Sequence, residues 1–92
     1  MKDVKLSSGK KAKVIAMSVD DIDYCNDIPV ITYDENSNTV IRNLSKTRTA
    51  WLRKGVDKCD DKFIKSLTEA EKTELSLKVQ EYQELGEGNP SH

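Results

Sequence analysis

The sequence predicts a small α+β fold, in which a small antiparallel sheet of one or two β-hairpins carries two to three helices on one face. Two stretches, residues 3–17 and 30–42, alternate apolar and polar residues around polar turns, which is typical of hairpins. Two later stretches, residues 45–55 and 68–86, show helical apolar spacing between a capping residue and a glycine. This order of strands and helices favours a mixed α+β fold.

The first hairpin follows from two short alternating runs. Val4 and Leu6 alternate with polar neighbours, residues 7–10 (SSGK) supply a turn, and Ala12 and Val14 alternate again on the return. Lysines flank this turn, but the loop lacks the spacing of a phosphate-binding loop. We therefore interpret these lysines as solvated side chains.

A short acidic helix follows the first hairpin. Ser18 is a natural N-cap, and the acids at 20–21 favour the positive end of a helix. Ile22 and Cys25 are spaced to face inward, and Pro29 marks the end of this segment. The acids do not follow the spacing of an EF-hand loop, so we interpret them as a solvated face.

The second hairpin is predicted over residues 30–42. Val30, Ile31 and Tyr33 favour β-structure, residues 34–38 form a polar turn, and residues 39–41 resume the β-pattern. The length of this turn indicates a mobile loop.

The third element is a helix that is expected to begin at Ser45 as the N-cap and to end at Gly55. Its apolar residues include Ala50, Trp51 and Leu52. We predict that Trp51, the only tryptophan, anchors this helix in the core. If Trp51 were instead partly exposed among the arginines of the helix, it would be an interface hot spot. The polar face carries Lys46, Arg48, Arg53 and Lys54.

The last helix has the clearest boundaries. Thr68 and Glu71 have the spacing of a capping box, and Gly86 supplies a left-handed stop. A narrow apolar stripe runs between them, which predicts a helix docked on its own domain or one partly offered to another subunit. The stripe consists of Leu75, Val79, Tyr82 and Leu85, with Leu77 lying off it.

The apolar positions of these elements define the expected core. We expect a single domain over residues 1–86 and a disordered tail at residues 87–92. The core is predicted to contain Val4, Leu6, Val14, Ile22, Val30, Ile41, Leu44, Trp51, Leu52, Ile64, Leu75 and Val79.

Charge and cysteine content limit the function classes. The net charge of −1 argues against bulk nucleic-acid binding, and no stretch is long and apolar enough to span a bilayer. The sign of the charge alternates along the chain in blocks, which predicts pairing within the fold or between copies and partners. Cys25 and Cys59 lack metal-ligand spacing, so we expect free thiols in a reducing compartment, with a single disulfide as the alternative.

The sequence shows no constellation for catalysis. The only histidine, His92, lies in the predicted tail, and neither cysteine has a base partner. We therefore expect no enzyme activity, no catalytic residues, no cofactor and no metal site.

The opening of the chain resembles small tailed-phage proteins of the tail-assembly-chaperone kind. Residues 4–14 read VKLSSGKKAKV and are followed by MSVDD at 17–21, as in family members that begin with a strand, a turn, a returning strand and an acidic helix. The LTxxE pattern at 67–71, leading into one polar helix, is similar to small phage assembly proteins. The resemblance covers about half the chain. It implies a non-enzymatic protein that holds tail-tube or tape-measure subunits, or is part of the particle.

We therefore predict a protein that acts through protein–protein contacts in virion assembly or structure, in the host bacterial cytoplasm, with incorporation in the virion left open. Its partner would be a phage structural protein or a second copy. The alternatives are a small regulator or inhibitor that binds a host protein, through the basic residues from Arg42 to Lys54, and weak nucleic-acid binding through the same segment. The expected partner-binding residues are Arg48, Trp51, Arg53, Leu75, Val79 and Tyr82.

Overall fold

The computed structural model describes residues 1–85. These residues form two separate antiparallel sheets of two strands each and four helices, which confirms the predicted α+β class. The elements in chain order are β1 (Lys2–Lys5), β2 (Lys11–Val14), α1 (Val19–Asp27), β3 (Val30–Tyr33), β4 (Thr39–Arg42), α2 (Leu44–Gly55), α3 (Asp61–Lys65) and α4 (Glu69–Leu85). The predicted stop at Gly86 and the predicted tail at 87–92 lie outside the described residues.

The first sheet is fixed to the body of the molecule along the outer edge of β2. The N–H of Ile15 donates to the carbonyl of Gly55 (2.9 Å), and the N–H of Asp57 donates to the carbonyl of Lys13 (2.9 Å). The segment that leaves α2 thereby covers an edge that would otherwise carry unpaired backbone groups.

The core lies between α2 and α4, which make the most extensive contact of any two elements outside the hairpins. Trp51 is only 5% exposed, and Leu52, Leu75 and Val79 are fully buried. This confirms Trp51 as the anchor of α2, and it places Leu75 and Val79 of the predicted stripe in the core, while Tyr82 is half-buried. Leu77 lies off the stripe, as predicted, and is exposed.

Side chains cap three of the helices in the described part of the chain. Ser18 Oγ accepts from the N–H of Asp21 (3.1 Å) and begins α1 as predicted. Asp60 accepts from the N–H of Phe63 (2.8 Å) and begins α3.

The capping box of α4 is also present. The Glu71 carboxylate accepts from the N–H of Thr68 (2.8 Å), and Thr68 Oγ1 accepts from the N–H of Glu71 (3.1 Å). Each side chain thus satisfies a backbone donor that helix geometry leaves unpaired.

The predicted start of α2 was wrong. The helix begins at Leu44, and the cap residue is Asn43, whose φ of 65° is left-handed and whose side chain makes no capping hydrogen bond. Ser45 lies inside the first turn, where its carbonyl accepts from Thr49 Oγ1 (3.1 Å). Asn43 Nδ2 instead donates to the carbonyl of Ile28 (3.4 Å). Asparagine tolerates this backbone conformation, which reverses the chain between β4 and α2.

The predicted role of Gly55 was also wrong. Gly55 is the last helical residue rather than a left-handed stop, and the following Val56 has extended geometry. A Cβ atom at position 55 would overlap with Val79 Cγ1 and lie 3.1 Å from Met17 Sδ. This position therefore needs glycine because α2 and α4 approach closely there.

Several predicted core residues lie outside the core. Val30, Ile41 and Leu44 are exposed by 43%, 48% and 43%, and Ile64 is half-buried. Val30 and Ile41 are exposed because β3 and β4 form a separate sheet instead of joining β1 and β2, and Leu44 lies in the first turn of α2. Their places in the core are taken by Met17, Cys25, Ala50 and Val56.

Within residues 1–85, no helix is long and apolar enough to cross a membrane. The longest, α4, has 17 residues and carries charged side chains along most of its length.

Candidate functional site

The structure separates the six residues that the sequence suggested for partner binding. Trp51, Leu75 and Val79 are buried in the core of their own chain, so a partner would reach them only if α2 and α4 moved apart. The other three keep accessible surface: Arg48 and Tyr82 are half-buried and Arg53 is exposed. The six residues therefore do not form one surface.

The basic residues at the end of α2 form ion pairs with acidic side chains of the same chain. Arg53 lies 2.8 Å from Asp61, and Lys54 lies 3.6 Å from Asp21. The Lys54 ammonium also lies 5.6 Å from the centre of the Tyr24 ring. The alternating charge blocks are thus partly paired inside the fold, although exposed pairs of this kind contribute little to stability.

A shallow groove of about 360 Å³ lies between α1 and α2. Its lining combines an exposed aromatic ring, a half-buried aliphatic side chain and two cations. These residues are Tyr24, Ile28, Lys46 and Arg53, together with Thr49. The groove therefore combines an exposed aromatic ring with Lys46 and with Arg53, which is also paired with Asp61.

The turn of the first hairpin contacts the start of α4 and the residues just before it. Lys10 Nζ donates to the carbonyl of Ser66 (2.9 Å) and lies 4.0 Å from the Glu71 carboxylate. Glu71 also accepts from Ser8 Oγ (2.5 Å). The turn lysine therefore fastens the hairpin to α4.

The cysteines are free thiols. Burial raises the pKa of Cys25 and of Cys59, so both are held in the protonated, less nucleophilic form at neutral pH. Among residues 1–85, no group of three or more His, Cys, Asp or Glu side chains gathers in a way that would hold a metal ion.

The second sheet, β3 with β4, is the least covered element and is called the ribbon below. It makes no extensive contact with any other element of residues 1–85. Ile31, Tyr33 and Ile41 are exposed by 60%, 71% and 48%. An isolated two-stranded hairpin is marginally stable in water, and large exposed apolar side chains mark contact surfaces.

The strand register places these side chains together. Ile31 lies directly opposite Ile41, and Tyr33 lies opposite Thr39. Because side chains alternate across a strand, Ile31, Tyr33 and Ile41 share one face of the ribbon. This exposed apolar face is the candidate functional site.

The tip of the ribbon is ordered by a carboxylate. The N–H of Asn38 and the N–H of Asn36 both donate to Asp34 Oδ1 at 2.9 Å, and these bonds, Asn38 first, lower the pKa of the Asp34 carboxyl. Ser37 adopts a φ of 63° to complete the turn. The tip is therefore a turn of defined geometry that carries negative charge.

Sequence reasoning located the ribbon but assigned its apolar residues to the core. A signal was present in the adjacent pairs Val30-Ile31 and Val40-Ile41. A strand with one buried face alternates strictly, whereas adjacent apolar residues place an apolar group on each face. The pattern thus indicates a second apolar face, which the other elements of residues 1–85 leave exposed.

Comparisons of this chain with models of protein families, with curated proteins and with solved structures found no match. The resemblance to tail assembly chaperones therefore stays a prediction. The functional argument that follows depends on the surface chemistry of the described residues.

Proposed function

We propose that this chain is a non-enzymatic protein that acts through protein–protein contacts in phage virion assembly, and that the exposed face of the ribbon is its contact surface. The observation that carries the proposal is the exposed apolar face formed by Ile31, Tyr33 and Ile41. A partner that covered this face would remove apolar surface from water, the main favourable term in association. Tyrosine is also enriched in such interfaces.

The resemblance of residues 4–21 to tail assembly chaperones supports the assembly role. A chaperone that holds tail-tube or tape-measure subunits must cover apolar surface on them before they polymerise. An exposed apolar face on a small, charged protein supplies that chemistry while the rest of the molecule stays hydrated.

The test is co-expression with the tail-tube and tape-measure proteins of the phage genome that encodes the chain. The readouts are the soluble fraction of each structural protein and its co-purification. Ile41→Ser should lower capture about tenfold, as expected for about 1.4 kcal/mol of lost contact. Leu77→Ser is the matched control, because Leu77 on α4 is similarly exposed at 53%. Equal capture by both variants, or no capture by the wild type, would contradict the proposal.

A second candidate function is a small regulator that binds an acidic host protein. The groove between α1 and α2 favours it, since Lys46 and Arg53 lie beside the exposed ring of Tyr24. In this case one host protein should co-purify at a defined stoichiometry. Lys46→Glu with Arg53→Glu should abolish that capture, while Ile41→Ser should leave it unchanged.

A further inference from the structure

We infer that β3 pairs with β3 of a second copy of the chain, antiparallel and about a two-fold axis at Thr32, to form a four-stranded sheet. The inference rests on the proposed function in that both use the ribbon, but it concerns the strand edge instead of the face. It names the second copy as the occupant of that edge.

The backbone of β3 presents free hydrogen-bonding groups at this edge. The N–H of Asp34 donates to the carbonyl of Asn38 (3.1 Å), so the polar groups at position 34 turn toward β4. These groups alternate in direction along an antiparallel strand, so those of Thr32 also turn toward β4. Those of Ile31 and Tyr33 turn to the open edge, where no strand of residues 1–85 pairs with them.

A single register uses all of these groups. With Thr32 at the axis, Ile31 of each copy lies opposite Tyr33 of the other, and the two pairs form about four backbone hydrogen bonds. An axis at Ile31 would place Tyr33 opposite Pro29, which has no N–H to donate. An axis at Tyr33 would place Ile31 opposite Glu35, which lies beyond β3 in the turn.

The side chains are self-complementary in the same register. A two-fold axis perpendicular to the sheet keeps each face on its own side, so Ile31 of one copy packs beside Tyr33 of the other. Pairs of an aromatic and a β-branched side chain are among the favourable cross-strand pairs. Ile41 lies beside Ile31 on the same face, so the dimer doubles the apolar face proposed for partner contact.

The charges of the ribbon are arranged for antiparallel pairing. The tip carries Asp34 and Glu35, and the base carries Arg42, which is paired with Val30. In the proposed register Asp34 lies opposite Val30 of the second copy, in the same row as the second copy's Arg42. Two strand spacings, about 10 Å, separate these two backbones. This is within the range of a long arginine side chain, and a parallel arrangement would instead place like charges together.

The edge is short, so the dimer should be weak. β3 has four residues, fewer than an average strand, and a pairing of this size belongs with the small, transient interfaces. We expect monomer at low concentration and dimer at high concentration, with a dissociation constant of roughly 10 μM to 1 mM.

The first experiment measures solution mass over a concentration series by sedimentation equilibrium. The average mass of the wild type should rise with concentration from the monomer toward the dimer, and Ile31→Lys and Tyr33→Glu should each weaken dimerisation at least about tenfold. An equimolar mixture of the two variants should recover dimer, because the introduced ammonium then lies opposite the introduced carboxylate. A wild type that stays monomeric at about 1 mM, or a mixture that shows no recovery, would overturn the inference.

The second experiment is oxidative cross-linking. Thr32→Cys should give a disulfide-linked dimer, since cross-strand neighbours that are not hydrogen-bonded lie about 4.5 Å apart between Cα atoms. Asn36→Cys is the control, because the tips of the two copies lie at opposite ends of the sheet. Equal cross-linking at both positions would show random collision and would contradict the two-fold axis at Thr32.

The two proposals fail separately. Ile41→Ser alters the face on β4 and leaves the β3 edge intact, so it should reduce capture of a structural protein while retaining the dimer. A chain that dimerises but captures no structural protein would overturn the assembly role alone. A chain that captures a structural protein but never dimerises would overturn the edge pairing alone.

Discussion

At the scale of single residues, Gly55 determines how closely α2 approaches α4. Its missing side chain allows Val79 to lie against the backbone at the end of α2, and its carbonyl also accepts from the N–H of Ile15. Gly55 therefore packs α2 closely against α4 and also hydrogen-bonds α2 to the residue that follows β2. The sequence suggested a helix stop because glycine is common there, whereas the structure uses its small size.

We predict that Gly55→Ala lowers the free energy of unfolding by about 1–3 kcal/mol, the usual cost of overpacking a core. Chemical denaturation with urea measures this change. The double variant Gly55→Ala with Val79→Ala should lose less stability than the sum of the two single variants, because the second change removes the atom that the new methyl group meets. A single variant as stable as the wild type would show that α2 and α4 separate without cost.

At the scale of elements, the two hairpins have different roles although their sequences look alike. The first is integrated in the body: Leu6 and Val14 are fully buried, and its turn is hydrogen-bonded to α4. The ribbon is instead joined to the body at its base, where Asn43 Nδ2 donates to the carbonyl of Ile28. Stability therefore resides in the first hairpin and the helices, and the ribbon is available for contact.

We predict that the ribbon is dispensable for folding. Replacement of residues 31–41 by Asn-Gly, a dipeptide favoured in tight hairpins, should change the free energy of unfolding by no more than about 1 kcal/mol. The ends are suited to this closure because Val30 is already paired with Arg42. Urea denaturation followed by Trp51 fluorescence measures the effect.

The matched control is the same replacement of residues 3–13 in the first hairpin. It should prevent folding because it removes Leu6 from the core. If the chain without residues 31–41 also failed to fold, the ribbon would be part of the folding unit.

At the scale of the whole molecule, the beginning of the chain is held against its last helix. The N–H of Ser7 donates to both carboxylate oxygens of Glu74 (3.1 Å each), and the N–H of Met17 donates to Gln83 Oε1 (2.8 Å). The Glu71 carboxylate accepts from Ser8 Oγ in the first hairpin as well as from the N–H of Thr68 at the start of α4. Side chains of α4 thus link distant parts of the chain to one helix.

We predict that stability falls in acid and that Glu71 contributes to this fall. The hydrogen bond from Ser8, then that from the backbone of Thr68, lower the pKa of the Glu71 carboxyl in the folded state. A lowered folded-state pKa means that the unfolded chain binds the proton more readily. The stabilisation is therefore present above the unfolded-state pKa of about 4.3 and is lost as the pH falls through the folded-state value.

Thermal unfolding at pH 7 and at intervals down to pH 3 measures this dependence. Glu71→Gln should lower the midpoint at pH 7 and reduce its change below about pH 4.3. Glu81→Gln, on the exposed side of the same helix, is the control and should reproduce the wild-type profile. A Glu71→Gln profile parallel to that of the wild type would contradict a role of this carboxylate in acid sensitivity.

The sequence by itself determined the elements and the main packing faces. Local rules specify the capping box at Thr68, the cap at Ser18, both hairpins and the inward stripe of α4, because each depends on residues within one turn or one strand pair. The burial of Trp51 also followed from its type, since one large apolar ring in a small chain has few other places to pack.

Only the tertiary structure decided which apolar surfaces the chain covers. The periodicity of the ribbon is the same whether its faces pack on the body or face water, so Val30 and Ile41 were assigned to the core and found exposed. The close approach at Gly55 and the left-handed Asn43 likewise depend on how distant elements meet. Local propensity fixes the direction of each side chain, whereas long-range packing decides what it touches, and that packing leaves the apolar face of the ribbon exposed.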